Sequence, residues 1–217
     1  MTRIKICGIK EEAHALAAAG AGADFIGLVF APSLRQVTCE RAEKIVSALK
    51  KKQAEIQVVG VFINTPPTQV KNIAKACRLD WVQLSGDEPW EYCRELDVPV
   101  IKAVRLDKNH RAERVIADLA YGTKLLARQN HLFLLDTGVR GRYGGTGKTF
   151  DWKLAKPIAE RFPVLAAGGL TPGNVAEAIS TISPWGVDVS SGVETRGAKD
   201  MIKIRKFIEA VRKADER

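Results

Sequence analysis

Short apolar runs alternate along the chain with longer segments in which apolar residues recur every three or four positions. The short runs are nearly continuous rather than alternating with polar residues, which is typical of strands buried on both faces of a parallel sheet. Eight such runs predict strands at residues 3–8, 25–30, 56–63, 81–84, 99–104, 131–136, 164–168 and 186–190.

The segments between these strands predict helices, and local signals support several of the helix ends. Thr38 is a suitable N-cap for a helix over 39–52, and Thr171-Pro172 predicts a helix with proline in its first turn. Residues 107–128 predict a helix plus a loop. The other predicted helices cover residues 11–20, 66–76 and 200–213. The chain is therefore an eightfold βα repeat without a linker.

Eight βα units can form either a closed barrel or an open, doubly wound sheet. An open dinucleotide-binding sheet would carry GxGxxG after its first strand, whereas Cys7-Gly8-Ile9 leads into a helix without a glycine-rich loop. Glycines gather instead after the last three strands, where (β/α)8 enzymes commonly form a phosphate site. The pattern predicts an α/β protein, a single (β/α)8 TIM barrel of eight parallel strands over residues 1–217.

Composition narrows the cellular setting of this barrel. The chain is 46% hydrophobic, and its four cysteines show neither a CxxC pair nor metal-ligand spacing, which favours a reducing compartment. The N-terminal segment lacks the apolar run of a signal peptide, and no stretch approaches the roughly 18 apolar residues of a membrane span. We therefore expect a cytoplasmic protein that does not bind a membrane.

The formal net charge of +9 is compatible with nucleic-acid binding or with a surface that attracts small anions. Nucleic-acid binding would require a basic stripe interleaved with aromatic residues. The basic residues are instead spread over nearly every predicted helix, and the densest run, 50–52, ends a helix, where cations favour the helix dipole. We expect a small anionic ligand and no nucleic-acid partner.

Reactive side chains lie at the ends of predicted strands, where barrel enzymes place their catalytic groups. Asp136 ends an apolar run, and a partly buried carboxyl there would have the raised pKa of a general acid, although a role as a helix cap or turn residue is equally compatible. Cys7 could be a base or only a small buried hydrophobe. Asp188 and Arg35 are further candidates.

Two glycine-containing turns follow the last two predicted strands. One contains Gly168 and Gly169, and the other contains Ser191 and Gly192. Glycine allows backbone N–H groups to approach an oxyanion closely. Each turn could be an ordinary βα connection, but two such turns on adjacent strands favour a phosphate site.

The segment 144–149 ends in GKT, as a nucleotide-binding P-loop does. The P-loop pattern needs a glycine five positions before Gly147, and Arg142 occupies that position. The preceding strand also ends well upstream, at Asp136. A mobile lid over the barrel mouth is therefore the better interpretation.

Nine short motifs, taken in their order and spacing, resemble the phosphoribosylanthranilate isomerase family over almost the whole chain. They are KICGI (5–9), GLVFAPSLR (27–35), VGVFIN (59–64), VQLSGDE (82–88), IKAV (101–104), LLDT (134–137), GGTGKTFDW (144–152), AGGLTPGNV (167–175) and VDVSSGVE (187–194). The resemblance implies an Amadori rearrangement of a phosphosugar substrate in tryptophan biosynthesis, without a metal or organic cofactor. We expect the enzyme to be a monomer or a homodimer.

The resemblance also implies roles for individual residues. Cys7 would be the general base and Asp136 the general acid. Arg35 would hold the anthranilate carboxylate, and Asp188 would contact the sugar hydroxyls or the amine. The residues that would hold the phosphate are Gly168, Gly169, Ser191 and Gly192. Ser85 departs from the family pattern, which usually has histidine there. Serine can form a hydrogen bond but is shorter and uncharged, so the substrate contact from the fourth strand should differ from that of the family.

Three other functions are compatible with such a barrel. A histidine-pathway isomerase performs the same rearrangement with two aspartates, which Cys7 disfavours. Metal-dependent epimerases need histidines at strand ends, whereas His14 and His110 lie in helical or loop segments and His131 starts a strand. A phosphate-binding sensor would keep the glycine turns but would not need both an acid and a base.

Overall fold

Eight parallel strands close into a barrel in which neighbours along the chain are neighbours in space. The structure, a computed structural model, describes residues 1–107, 110–127, 129–137 and 151–216. The strands are β1 (Arg3–Cys7), β2 (Phe25–Val29), β3 (Gln57–Phe62), β4 (Trp81–Leu84), β5 (Val100–Leu106), β6 (His131–Thr137), β7 (Val164–Ala166) and β8 (Gly186–Val189). The predicted closed barrel is confirmed, with strand ends shifted by a residue or two.

Helices cover the outside of the barrel. They are α1 (Glu12–Gly20), α2 (Cys39–Lys51), α3 (Pro67–Ala76), α4 (Trp90–Arg94), α5 (Ala112–Leu125), α6 (Trp152–Ala159), α7 (Val175–Ile182) and α8 (Met201–Asp215). A 3-10 turn (Ser191–Val193) and a short antiparallel hairpin of β9 (Glu194–Thr195) and β10 (Ala198–Lys199) follow β8. The segment 144–149, interpreted above as a lid, lies outside the described residues.

The helix starts show which local signals were reliable. Thr38 caps α2 as predicted, because its Oγ1 accepts a hydrogen bond from the backbone N–H of Arg41 at 3.2 Å. The prediction that Thr171-Pro172 opens a helix was wrong, since α7 begins only at Val175. Asn174 holds the intervening turn, because its side chain accepts from Thr171 N at 2.7 Å and donates to Gly169 O at 3.0 Å.

The alternation of side chains along each strand separates two apolar cores. On β1, Ile4 and Ile6 belong to the larger core, which fills the space between the barrel and its helices. Lys5 and Cys7 therefore point into the barrel. The apolar residues of the interior are Phe25, Val59, Ile101, Leu132, Leu134, Leu165 and Ala167. Lys5 and Cys7 of β1 are therefore buried inside the barrel next to this apolar layer.

Candidate active site

The C-terminal ends of the strands bring together the side chains that the sequence singled out. Cys7 ends β1, Asp136 lies one residue before the end of β6, and Asp188 lies in β8 beside β1. Cys7 and Asp188 are buried, with 7% and 8% of their surfaces exposed. Asp188 contributes to the pKa of both Cys7 and Asp136, so these three side chains share one electrostatic environment.

A buried ion pair lies at the centre of this group. Lys5 and Asp188 are opposite each other in the parallel register of β1 and β8, and Lys5 Nζ lies 2.9 Å from Asp188 Oδ1. Lys5 has no exposed surface. Burial opposes its charge, but Asp188 and the Cys7 sulfur reverse that effect and raise the pKa of Lys5 above its ordinary value. The sequence analysis did not single out Lys5. The signal was available, because side chains two residues apart on a strand point the same way, so Lys5 must face the same side of the sheet as Cys7.

The thiol of Cys7 is subject to opposing influences. Burial raises the pKa of Cys7, the nearby ammonium groups of Lys5 and Lys199 lower it, and the Asp188 carboxylate raises it again; the net pKa lies above the ordinary value. Gly27 of β2 leaves the space beside the sulfur open. A methyl group at Gly27 would lie 2.8 Å from Cys7 Sγ and 3.1 Å from Lys5 Nζ.

Asp136 has the properties of an acid that can be protonated near neutral pH. Burial raises the pKa of Asp136 to about 6, and Asp188 acts in the same direction. A hydrogen bond of 2.7 Å from the backbone N–H of Thr137 to Asp136 Oδ1 only partly offsets this rise. The carboxyl can therefore donate a proton to a ligand in the barrel mouth.

Arg35 is held by a second ionic cluster, which sequence reasoning did not find. Its Nε and Nη2 donate to the two oxygens of Glu194 at 2.7 and 2.8 Å. Lys199 Nζ also donates to Glu194 Oε1, at 2.6 Å. Burial would raise the pKa of Glu194, but these two cations hold it below its ordinary value. The guanidinium is thereby fixed, while its Nη1 has no hydrogen-bond partner within the described ranges.

The two glycine turns lie against each other at the ends of β7 and β8. Gly168 and Gly169 have positive φ angles of 81° and 65°, which favour glycine. A Cβ atom on Gly192 would collide with the backbone carbonyl of Leu170. The turn after β8, with Ser191 and Gly192, is therefore packed closely on the turn after β7, and their backbone groups can converge on one anion.

Ser85 follows β4 at the same end of the barrel. Its Oγ accepts a hydrogen bond of 2.9 Å from Gln83 Nε2, and its backbone oxygen accepts one of 3.3 Å from Arg105 Nη1. Arg105 of β5 lies opposite Asp136 in the sheet register and lowers the pKa of that carboxyl. Ser85 thus lies at the rim of the barrel, bound to the strand whose Arg105 is opposite Asp136.

Neither a metal-binding cluster nor a membrane-spanning helix is found in the described part of the chain. No group of three or more His, Cys, Asp or Glu side chains there is arranged to hold a metal ion. None of the helices found there is both long and apolar enough to cross a membrane.

These features define the class of protein as a (β/α)8 barrel with a cluster of buried ionisable side chains at the C-terminal ends of its strands, where enzymes of this fold place their active sites. A family model described as N-(5'phosphoribosyl)anthranilate (PRA) isomerase matches residues 4–210. An N-(5'-phosphoribosyl)anthranilate isomerase from Dehalococcoides mccartyi is 47% identical over 215 residues, which cover 99% of this chain and 98% of that protein. The chain belongs to the N-(5'-phosphoribosyl)anthranilate isomerase family, whose members are aldose–ketose isomerases.

Solved structures agree with this assignment. Dimeric phosphoribosylanthranilate isomerase from Thermotoga maritima, crystallised as monomers, has a TM-score of 0.81 and 37% identity, covering 98% of this chain and 100% of that one. A phosphoribosyl anthranilate isomerase in complex with reduced 1-(o-carboxyphenylamino)-1-deoxyribulose 5-phosphate matches with the same values. The family's barrel is therefore shared over nearly the full chain.

The raised pKa of Asp136 predicts a stability effect with a defined pH window. The carboxyl ionises near 3.8 when unfolded and near 6 when folded, so this group costs stability as the pH rises from about 4 to about 6. Asp136→Asn should raise the free energy of unfolding at pH 7 by about 1–3 kcal/mol. Denaturant unfolding at pH 4 and pH 7 measures the difference.

The matched control is Asp188→Asn, which removes the carboxylate that balances Lys5 and should destabilise the protein at pH 7. A stability gain for Asp136→Asn that is equal at pH 4 and pH 7, or no gain at either pH, would contradict the raised pKa.

Proposed function

We propose that this isomerase uses Asp136 as its general acid and Cys7 as its general base to rearrange N-(5'-phosphoribosyl)anthranilate into its 1-deoxyribulose 5-phosphate product. The observation that carries the proposal is the pairing of a carboxyl whose pKa is raised to about 6 with a buried thiol beside an ammonium group, both near Asp188. Acid–base chemistry on one substrate requires two groups with different environments.

In the first step, Asp136 gives its proton to the ring oxygen of the ribose. The bond between that oxygen and C1 breaks, and the nitrogen lone pair forms a double bond to C1. The products are an open-chain iminium ion and the Asp136 carboxylate. Partial burial of Asp136 supports this role, because burial favours the protonated form that the step consumes.

In the second step, the Cys7 thiolate takes the proton from C2 of the sugar. The electron pair of the C2–H bond forms the C1–C2 double bond, and the iminium π pair returns to nitrogen. The resulting enol-amine loses a proton from its hydroxyl group and gains one at C1, which gives the ketone. The iminium ion is the electron sink, so the substrate itself supplies the electrophile that this step needs.

The resting protonation states are the reverse of those that the reaction requires. Near neutral pH, Asp136 with its pKa of about 6 is mostly ionised, whereas Cys7 with its raised pKa is mostly a thiol. The competent form is therefore a minor one in the free enzyme. The cationic iminium formed in the first step favours the thiolate, which links ring opening to proton abstraction.

Substrate binding would use Arg35, the two glycine turns and Asp188 at the barrel mouth. Arg35, fixed by Glu194, would bind the anthranilate carboxylate through its remaining N–H groups, two of which are on Nη1. The backbone of Gly168, Gly169, Ser191 and Gly192 would bind the phosphate. Asp188 would contact the sugar hydroxyls or the amine. These contacts would hold the sugar between Cys7 and Asp136, which is the geometry that proton transfer requires.

We also place the enzyme in the cytoplasm, as a monomer or a homodimer whose only ligand class is the phosphosugar, with no nucleic-acid partner and no cofactor. All four cysteines are free, which suits a reducing compartment. The relative from Thermotoga maritima described above provides a precedent for the dimer.

Removing either catalytic group should lower kcat by about 10²–10⁴-fold. Cys7→Ser keeps nearly the same shape but replaces the thiol with a far weaker acid, and Asp136→Asn keeps the shape but cannot donate the proton. A fluorescence assay that follows loss of the substrate measures both. Turnover of Cys7→Ser at the wild-type rate would remove Cys7 from the mechanism, and the same holds for Asp136→Asn.

Arg35→Ala should raise KM by about 10–100-fold, because it loses a charge-assisted hydrogen bond to a carboxylate that takes no part in the bond changes. Glu194 keeps Lys199 as its partner in this variant, so the fold should survive. Arg35→Lys is the matched control, since it keeps the positive charge but cannot make the two hydrogen bonds that the guanidinium makes to Glu194. Steady-state kinetics would refute this role if kcat fell and KM stayed constant.

A further inference from the structure

The mechanism above leaves one completely buried cation, Lys5, without a role. Removing an ammonium group from water costs several kcal/mol, and a buried ion pair is often no more stabilising than apolar residues of the same volume. Stability alone therefore does not account for Lys5 and Asp188 in the barrel interior. Their position beside Cys7 points to a function instead.

We propose that Lys5 is a positioning residue for the reaction: its ammonium group, anchored by Asp188, is shared with the sulfur of Cys7 and holds the thiolate that abstracts the proton. This inference rests on the proposed role of Cys7 as the base. It assigns to Asp188 a second task, which is to keep the Lys5 cation in place while the thiolate forms.

The geometry of β1 supports this sharing. Lys5 and Cys7 are two residues apart on one strand, so both side chains point into the barrel. Lys5 Nζ lies 2.9 Å from Asp188 Oδ1 and borders the same open space beside Gly27 as Cys7 Sγ. The negative charges of Asp188 and of the Cys7 thiolate both raise the pKa of Lys5. A single ammonium group thus contacts the Asp188 carboxylate and lies close to the Cys7 sulfur.

The other charged groups facing Cys7 are less suited to this task. They are Asp188 on β8, Lys199 on β10 and Arg35 in the loop after β2. Lys199 and Arg35 are both bound to the single carboxylate of Glu194, which holds their charged ends at β9 rather than on the strand that carries Cys7. Asp188 opposes thiolate formation. Among the described cations near the sulfur, Lys5 is the one whose counter-ion lies inside the site and is itself expected to bind the substrate.

The test is the pH dependence of Cys7 alkylation by iodoacetamide in the full-length enzyme, followed by mass spectrometry of the Cys7 peptide. Lys5→Met should move the midpoint of thiolate formation upward by about 1–3 pH units, because an adjacent positive charge is lost. Lys102→Met is the matched control: Lys102 is also buried and paired, with Glu88 at 3.1 Å. The control should leave the Cys7 midpoint unchanged.

The direction of the shift separates an electrostatic role from a structural one. Asp188→Asn should lower the midpoint, because it removes a negative charge that opposes the thiolate. If the Lys5–Asp188 pair only stabilised the structure, Lys5→Met and Asp188→Asn would shift the Cys7 midpoint in the same direction. That result would overturn the proposal. If Lys5→Met fails to fold, Lys5→Met/Asp188→Asn removes both charges, and its midpoint should lie above that of Asp188→Asn.

Kinetics provides a second readout that distinguishes this proposal from the proposed function. Lys5→Met should lower kcat at least about tenfold at pH 7 and leave KM within a few-fold, since the thiolate acts only in the chemical step. An inactive Cys7→Ser combined with an unshifted midpoint in Lys5→Met would overturn the role of Lys5 alone. A fully active Cys7→Ser would overturn the base assignment and this inference with it.

Discussion

The buried ion pair between Lys5 and Asp188 is the interaction around which the side chains of the barrel mouth are arranged. It joins the first strand to the last at the point where the barrel closes, and it places an ammonium group with no exposed surface inside the barrel. A buried charge must be balanced, so the positions of Asp188 and Lys5 are tied to each other. The pKa values of Cys7 and Asp136 both respond to this pair.

Two carboxyl groups a short distance apart therefore have different properties. Asp188 has a buried cation as its partner, whereas Asp136 has mainly a backbone N–H, and burial raises the pKa of Asp136 to about 6. These different partners suit Asp136 to the proposed role of acid and Asp188 to that of an anchor for Lys5. The acid is gained at a cost in stability, because the folded chain ionises Asp136 less readily than the unfolded chain does.

Much of the fold followed from the sequence because eight apolar runs and the helical segments between them are local patterns. Cys7, Asp136 and Asp188 could be singled out for the same reason, since strand ends in a barrel share one face. The ion pairs could not be predicted in this way. Lys5 and Asp188 are 183 residues apart, and Arg35 and Glu194 are 159 apart, so their meeting depends on barrel closure. The start of α7 was misjudged because Asn174, rather than Pro172, determines the turn.

A crystal structure of this chain with reduced 1-(o-carboxyphenylamino)-1-deoxyribulose 5-phosphate would show whether Asp136 and Cys7 both contact the sugar of one bound molecule. We expect the sugar between Cys7 and Asp136, with the phosphate about 3 Å from backbone nitrogens of the turns after β7 and β8. The anthranilate carboxylate should contact Arg35. A complex in which Cys7 Sγ lies out of reach of C2, or in which the phosphate binds away from these turns, would contradict the acid–base account.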